Sequence, residues 1–227
     1  MPVWKIAIDG PAASGKSTVA RLVATRLGGF YVSTGDLYRA VSWVALERGL
    51  DVANDPAAVT ALLATLDLRY GVAGPGRLQL YLNGEPVAPE PLRSAAVAAV
   101  VSLVARLPAV RAWLCDRQRD CCALGTVVME GRDIGTVILP DAPFKFFLTA
   151  SPEERARRRL AQPGEVPPGS TVASVAAQIA ERDRIDSSRA VAPLRAAADA
   201  ATLVTDGMTP EAIAEHIVRA VLAGGQP

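Results

Sequence analysis

The residues best suited to chemistry lie in a glycine-rich turn near the start of the chain. Residues 10–18 read GPAASGKST and fit the spacing G-x-x-x-x-G-K-[ST] at every fixed position. In such a loop backbone N–H groups surround phosphate oxygens, the lysine reaches the β- and γ-phosphates, and the hydroxyl residue ligates Mg²⁺. The turn therefore predicts an ATP site, with Lys16 on the phosphates and Ser17 on the metal. Its members are Gly10, Pro11, Ala12, Ala13, Ser14, Gly15, Lys16, Ser17 and Thr18.

Four segments further along the chain carry the charges that transfer to a second substrate requires. Phosphoryl transfer depends on positioning and electrostatic stabilisation more than on a general base, so arginines on several segments are expected. Each segment alone has an ordinary explanation, such as a capped surface helix or a solvated ion pair. Together, downstream of one phosphate loop, they favour an enzyme with an anionic acceptor. The segments are residues 33–39, residues 130–136, the arginines Arg155, Arg157, Arg158 and Arg159, and the group Arg182, Asp186 and Arg189.

The hydrophobic pattern places these segments in alternating strands and helices. Short apolar runs predict strands over residues 3–8, 30–32, 126–129, 144–148 and 202–205. Helical spacing predicts helices over residues 17–27, 36–48, 55–66, 92–106, 108–123, 172–185 and 209–223, with a further helix from residue 152. We expect Asp36 to cap the second of these helices. The alternation predicts an α/β fold, with a parallel five-stranded sheet between helices in a three-layer P-loop arrangement.

Two stretches depart from this alternation. From residue 66 to residue 88 apolar residues recur at every second position, and Gly74-Pro75-Gly76 and Asn83-Gly84 provide turn signals. This stretch predicts a small antiparallel β insert. Residues 162–171 are rich in Pro, Gly and Ser and precede a helix, the place where a mobile lid would sit.

Composition argues against several other functions. A length of 227 residues suits one domain with insertions, and a net charge of +1 with 5% aromatic residues argues against a nucleic-acid-coupled ATPase. The single histidine, His216, argues against histidine-based zinc sites and Ser-His-Asp or Cys-His catalysis. The three cysteines form no CxxC pair, and we find neither a secretory signal nor an apolar run of membrane-spanning length. We expect a cytoplasmic monomer that binds small nucleotides rather than nucleic acid or membrane.

The same segments resemble the bacterial cytidylate kinases over essentially the full length of the chain. The resemblance rests on Ile8-Asp9-Gly10-Pro11, Thr34-Gly35, Tyr38-Arg39, residues 130–136, Arg182-Asp183 and residues 189–194. It implies phosphorylation of CMP and dCMP by ATP with Mg²⁺. It also implies a core of residues 1–34, 94–160 and 190–227, an acceptor-binding region of residues 35–93 that contains the β insert, and a helical lid of residues 161–189.

The resemblance assigns a role to each matching residue. The catalytic residues it implies are Lys16, Arg132, Arg158, Arg182 and Arg189. The acceptor-binding residues it implies are Thr34, Tyr38, Arg39, Ser102, Arg111, Arg132, Asp133, Arg182 and Asp186. Among these, Ser102, Arg111 and Asp133 would read the cytosine edge, and Arg132 would contact the CMP phosphate.

One departure from the family pattern leaves the acceptor open. The family often has Asp-[ST]-Gly-Ala before Tyr-Arg, whereas this chain has Ser33 and carries the carboxylate at Asp36. That order is similar to adenylate kinases, so AMP or another nucleoside monophosphate is a rival acceptor, and a non-enzymatic nucleotide switch is a more distant alternative. The Tyr38-Arg39 pair and the lack of an adenylate-kinase-like lid sequence favour CMP. Glu130 stands where the family more often has aspartate.

Overall fold

The computed structural model describes residues 3–162 and 166–224. Residues 163–165, inside the predicted lid, and the two ends of the predicted core therefore lie outside the described residues. Within the described part the chain forms eight strands. They are β1 (Lys5–Asp9), β2 (Phe30–Ser33), β3 (Leu68–Gly74), β4 (Arg77–Leu82), β5 (Glu85–Pro86), β6 (Val127–Gly131), β7 (Phe144–Thr149) and β8 (Ala201–Val204).

Nine α-helices lie in the same ranges. They are α1 (Lys16–Arg26), α2 (Thr34–Glu47), α3 (Pro56–Leu62), α4 (Pro89–Leu92), α5 (Ala95–Val104), α6 (Pro108–Asp120), α7 (Pro152–Leu160), α8 (Val172–Ser187) and α9 (Pro210–Leu222). The single helix predicted over residues 92–106 is wrong at its start. There the chain breaks between α4 and α5, because the Ser94 side chain caps α5 by accepting a hydrogen bond from the Val97 N–H.

The main sheet confirms the predicted parallel architecture. Its five strands lie in the order β2-β6-β1-β7-β8, and every neighbouring pair is parallel. Ile6, Ala7 and Ile8 of β1 are fully buried, and so are the first three residues of β6. Strands buried on both faces are typical of a sheet with helices on either side. On one face α1 and α9 supply the apolar side chains packed against it.

Because the strands are parallel, their carboxyl ends meet at one edge of the sheet. Asp9 at the end of β1 lies beside Gly131 of β6, and Ser33 at the end of β2 lies beside Glu130. The phosphate loop, the start of α2 and the segment after β6 therefore leave the sheet side by side. This edge is where open α/β sheets bind ligands.

The predicted β insert is confirmed as a separate antiparallel sheet of β3, β4 and β5. Asn83 and Gly84 both adopt positive φ, 52° and 88°. Positive φ at both central residues is what a type I′ hairpin turn requires. The insert and helices α2 to α6 share one apolar cluster, distinct from the clusters that cover the main sheet.

The start of α2 differs from its prediction. The helix begins at Thr34 with Ser33 at the cap position, so Asp36 lies inside the first turn and does not cap it. Its carboxylate instead accepts a hydrogen bond from Arg93 at 2.6 Å. In the described part of the chain no single helix is long and apolar enough to cross a membrane. Only Ala95–Val104 with Pro108–Leu124 meets that test jointly, by length and composition alone, and this pair is bent by 100°.

Candidate active site

A cavity of about 440 Å³ opens at the carboxyl edge of the main sheet. Its walls come from the phosphate loop, the start of α2, α5, the segment after β6, and α8. Four carboxylates line it, and the nine cationic side chains outnumber them among the described residues. An excess of positive charge in a concave site attracts anionic ligands such as nucleotides. The cations are Lys16, Arg21, Arg39, Arg93, Arg111, Arg132, Arg159, Arg182 and Arg189.

The phosphate loop is shaped by its glycines and closed by its lysine. A side chain at Gly10 would place its Cβ 2.0 Å from the carbonyl oxygen of Leu148, so this position requires glycine. The buried Nζ of Lys16 donates to the Pro11 carbonyl at 2.6 Å and to Ser14 Oγ at 3.2 Å. Burial, and then the nearby Arg132, hold the pKa of Lys16 well below its usual value. A phosphate here would add negative charge beside the ammonium.

Residues 13–18 line the cavity, whereas Gly10, Pro11 and Ala12 form the base of the loop behind it. Pro11 has no N–H to offer. The N–H of Ala12 donates to Asp183 Oδ1 at 3.0 Å. Of the residues predicted to bind ATP, residues 10–12 therefore face the protein interior and residues 13–18 face the cavity.

A hydroxyl and a carboxylate stand together where the metal is expected. Ser17 Oγ donates to Glu130 Oε1 at 3.0 Å, and the hydroxyls of Ser33 and Tyr31 approach the same oxygen at 3.3 and 3.4 Å. No group of three or more metal-ligating side chains occurs in residues 3–162 and 166–224. Mg²⁺ bound with nucleotide needs only one or two protein ligands, since phosphates and water supply the others. The donor set therefore fits Mg²⁺.

Tyr38 and the three residues predicted to read the cytosine edge, Ser102, Arg111 and Asp133, line another wall of the cavity. Arg111 and Asp133 form a buried ion pair, and the Arg111 guanidinium lies 5.6 Å from the centre of the Tyr38 ring. Ser102 of α5 lines the same wall. Burial raises the pKa of Tyr38 to about 12, so its phenol stays neutral. A buried ion pair with a fixed orientation, such as Arg111–Asp133, is suited to recognising one edge of a base.

Two arginines of the cavity pair with one carboxylate, and a third, Arg182, lies close to them. Arg132 Nε donates to Asp186 Oδ2 at 3.0 Å, and Arg189 pairs with the other carboxylate oxygen. Burial alone would lower the pKa of Arg132, but Asp186 and Glu130 outweigh it and raise the pKa. Burial and the neighbouring Arg132 lower the pKa of Arg182 to about 9. Among the described residues, the buried Nε atoms of Arg182 and Arg189 have no hydrogen-bond partner. Such donors are expected beside a bound anion.

Comparison of the amino-acid sequence with known proteins identifies the family of this chain. The family model described as cytidylate kinase matches residues 6–223. The chain belongs to the cytidylate kinase family. A cytidylate kinase of Pelotomaculum thermopropionicum is 50% identical over 222 residues, which cover 96% of each chain. A cytidylate kinase of Bacillus licheniformis is 43% identical over 216 residues, with 95% of each chain covered.

A third relative is longer than this chain. A bifunctional pantoate ligase/cytidylate kinase of Prochlorococcus marinus is 47% identical over 214 residues, which cover 94% of this chain and 42% of that protein. Membership of the cytidylate kinase family confirms the kinase class predicted from the sequence. The adenylate kinase and non-enzymatic switch alternatives are not favoured.

Within this cytidylate kinase family member, one residue predicted to be catalytic lies outside the cavity. Arg158 is held behind the phosphate loop, where its guanidinium donates to the Thr205 Oγ1 and carbonyl oxygens at 2.9 and 2.7 Å and to the Ser14 carbonyl at 3.3 Å. Arg159 lines the cavity instead. Consecutive helical residues point about 100° apart, so only one of two neighbouring arginines can face the site. The sequence pattern could not choose between them.

Thr34 and Arg39, predicted at the acceptor, lie at the cavity wall with partners of their own. Thr34 Oγ1 donates to the Glu130 carbonyl at 2.8 Å, and Arg39 Nη1 donates to the Leu92 carbonyl at 3.0 Å. No residue of the β insert lines the cavity. The insert reaches the site indirectly, because the Tyr70 hydroxyl donates to the Ser33 carbonyl at 2.8 Å just before α2 begins.

Sequence reasoning gave no role to two buried carboxylates. Asp9 accepts hydrogen bonds from the N–H groups of Ile134 and Gly135 at 2.8 and 2.7 Å, which holds the turn that carries Asp133. Burial raises the pKa of Asp9 to about 6. Glu130 was noted only as a substitution. The sequence signal that could have placed Glu130 next to Ser17 is its position directly after the predicted strand 126–129 and before Gly131.

Proposed function

We propose that this protein transfers the γ-phosphoryl group of ATP to CMP and dCMP, giving ADP with CDP or dCDP. An oxygen of the acceptor phosphate forms a bond to the γ-phosphorus, and the bond from that phosphorus to the β,γ-bridging oxygen breaks. The observation that carries the proposal is that the phosphate loop and the buried Arg111–Asp133 pair line one cavity together with Arg132 and Arg182. The family relationship supports the same reaction.

On the donor side, Lys16 exchanges its contacts to Pro11 and Ser14 for the β- and γ-phosphates. Backbone N–H groups of residues 13–18 surround the same phosphates. Ser17 and Glu130 would hold Mg²⁺, directly or through water. When bound there, the ion would supply positive charge to the phosphate oxygens.

On the acceptor side, Ser102, Arg111 and Asp133 recognise the cytosine edge. Thr34, Tyr38 and Arg39 position the nucleoside and its phosphate at the start of α2. Asp186 aligns Arg132 and Arg189 with that phosphate, since its two oxygens pair with one arginine each.

Arginines supply the charge stabilisation in the transition state. Arg132, Arg182 and Arg189 line the cavity, and the unpartnered Nε donors of Arg182 and Arg189 are suited to phosphoryl oxygens. Arg159 adds to this group, whereas Arg158 acts by holding the Ser14 carbonyl and hence the loop. The proposed division into core, acceptor-binding region and lid follows the predicted boundaries. The enzyme is proposed to work as a monomer in the cytoplasm.

A coupled assay with purified protein, ATP and Mg²⁺ tests the proposal. CMP, dCMP, UMP, AMP and GMP are offered separately, and kcat/KM is measured for each. We expect CMP and dCMP to be the best acceptors and activity to disappear when Mg²⁺ is chelated. A higher kcat/KM for AMP than for CMP would overturn the acceptor assignment. Tight ATP binding without consumption of any monophosphate would overturn the enzymatic reaction.

A further inference from the structure

The backbone of Ala12, at the base of the phosphate loop, forms hydrogen bonds with side chains of two helices, α7 and α8. Its N–H donates to Asp183 Oδ1 of α8 at 3.0 Å. Its carbonyl accepts from Arg155 Nη1 of α7 at 3.2 Å. Arg155 and Asp183 also pair with each other, so the three groups close a ring of hydrogen bonds around Ala12. Charge-assisted hydrogen bonds of this kind are among the stronger ones in proteins.

Apolar packing reinforces the same contact. Ala12, Ala156 of α7 and Val175 and Ile179 of α8 form one buried cluster, and Ala13 packs against it. Ala13 has a positive φ of 58°, unusual for a residue with a side chain. The Ala13 side chain packs on this cluster, and residues 14–18 that follow it line the cavity.

Other residues of α8 close to Asp183 face the acceptor side of the cavity. Arg182 projects into the cavity, and Asp186, one turn further along α8, aligns Arg132 and Arg189. Because α8 is one continuous helix from Val172 to Ser187, a shift of its contact with Ala12 moves Arg182 and Asp186 as well. One turn of α8 therefore links the phosphate loop, through Asp183, to Arg182 and to Asp186, which pairs with Arg132 and Arg189.

We infer that Asp183 is a positioning residue that couples occupancy of the phosphate loop to the placement of Arg182 and Asp186 on the acceptor. The inference rests on the proposed function. When phosphates order the loop, the ring at Ala12 holds α8 in the position that brings Arg182 to the acceptor phosphate. Binding of the donor then strengthens binding of the acceptor, and by thermodynamic necessity the reverse also holds. Asp183 itself touches neither substrate in this scheme.

Calorimetry measures this coupling directly. The dissociation constant of CMP is determined with and without saturating AMP-PNP and Mg²⁺, in the wild type and in Asp183→Ala. We expect AMP-PNP to tighten CMP binding in the wild type and to do so by about tenfold less in the variant, because the variant loses the charge-assisted hydrogen bonds at Ala12. The kcat should fall with it, since Arg182 is displaced. Independent binding of the two nucleotides in the wild type would overturn the inference.

Two further variants separate positioning from stability. Asp183→Asn keeps an oxygen that can accept from the Ala12 N–H but loses the charge that pairs with Arg155, so its coupling should lie between that of Ala and wild type. It also keeps the test valid if Asp183→Ala does not fold. Glu181→Gln on the same helix is the control, since Glu181 is exposed and its carboxylate pairs with the exposed Arg184. If Asp183→Asn lowers the melting temperature but leaves the coupling and kcat at wild-type values, the role is structural only.

The design distinguishes this inference from the proposed reaction. If the wild type does not phosphorylate CMP, the proposed function fails, and the contact at Ala12 is still tested by AMP-PNP affinity alone, which Asp183→Ala should weaken. If the wild type phosphorylates CMP and Asp183→Ala matches Glu181→Gln in every constant, only the inference fails.

Discussion

The donor and acceptor sides of the cavity are built in different ways. The phosphate loop is a continuous nine-residue segment in which the backbone does most of the binding, and its lysine already has two oxygen partners. The acceptor side assembles side chains from residues as far apart as Thr34 and Arg189, held by ion pairs such as Arg132–Asp186. Two buried arginine Nε donors on that side have no partner in the described part of the chain. A backbone-built site recognises phosphate in general, whereas a side-chain-built site can select one acceptor.

The largest effect is expected from removing Lys16, the charged side chain of the phosphate loop. Lys16→Ala should lower kcat by about 10³-fold or more, because the charge that stabilises the transferring phosphoryl group is lost. Its thermal stability should be equal to or above that of the wild type, since burial disfavours the ammonium and lowers its pKa. Steady-state kinetics and a thermal melt measure both effects, with Lys5→Ala, an exposed lysine, as control. A Lys16→Ala enzyme within tenfold of wild type would contradict this account of the donor side.

A smaller effect is expected from removing a single arginine of the acceptor side, because neighbouring arginines also supply positive charge there. Arg182→Ala should lower kcat/KM for CMP by about 10²-fold, the upper end for a charge-assisted hydrogen bond. The KM for ATP should change much less. Arg184→Ala, two residues along α8 and exposed, is the matched control and should leave all constants unchanged. Equal losses in the two variants would mean that helix α8, not the Arg182 guanidinium, carries the effect.

Selectivity should depend on the buried base-reading pair. Asp133→Asn should reduce the preference for CMP over UMP by about tenfold, since the amide cannot reproduce the carboxylate's hydrogen bonding. ATP affinity should be nearly unchanged, because Asp133 pairs with Arg111 and is not part of the phosphate loop. Competition between CMP and UMP in one reaction measures the ratio. An unchanged ratio would remove Asp133 from base recognition.

The smallest effect tests whether the β insert supports only the acceptor side. Tyr70→Phe removes one hydroxyl that donates to the Ser33 carbonyl, so unfolding free energy should fall by about 1 kcal/mol. The KM for CMP should rise about two- to fivefold, while that for ATP stays constant. Tyr81→Phe on the neighbouring strand β4 is the control. A rise in the KM for ATP alone would reverse the assignment of the insert to the acceptor side.

Local patterns were sufficient for the parts of the fold in which one segment decides its own structure. The motif ending in Lys16 and Ser17, and the Asn83-Gly84 turn, depend on positive φ, backbone donors and short-range spacing. They were read correctly from a few neighbouring residues. The break before α5 was missed, because the Ser94 cap had to compete with a strong helical pattern on both sides. The predicted cap of α2, Asp36, lies three residues after the actual cap Ser33, since several residue types at 33–36 can cap a helix.

The sequence by itself determined the chemistry: a phosphate loop, a supply of arginines and an insert, in an order that resembles one kinase family. Only the tertiary structure decided how these residues meet. It brought Glu130 to Ser17, turned Arg159 rather than Arg158 into the cavity, and joined Asp183 to Ala12 across 171 positions of sequence. The reason is physical. Residue type and spacing control local backbone geometry and charge, whereas the direction of each side chain depends on strands and helices that pack together only in the folded chain.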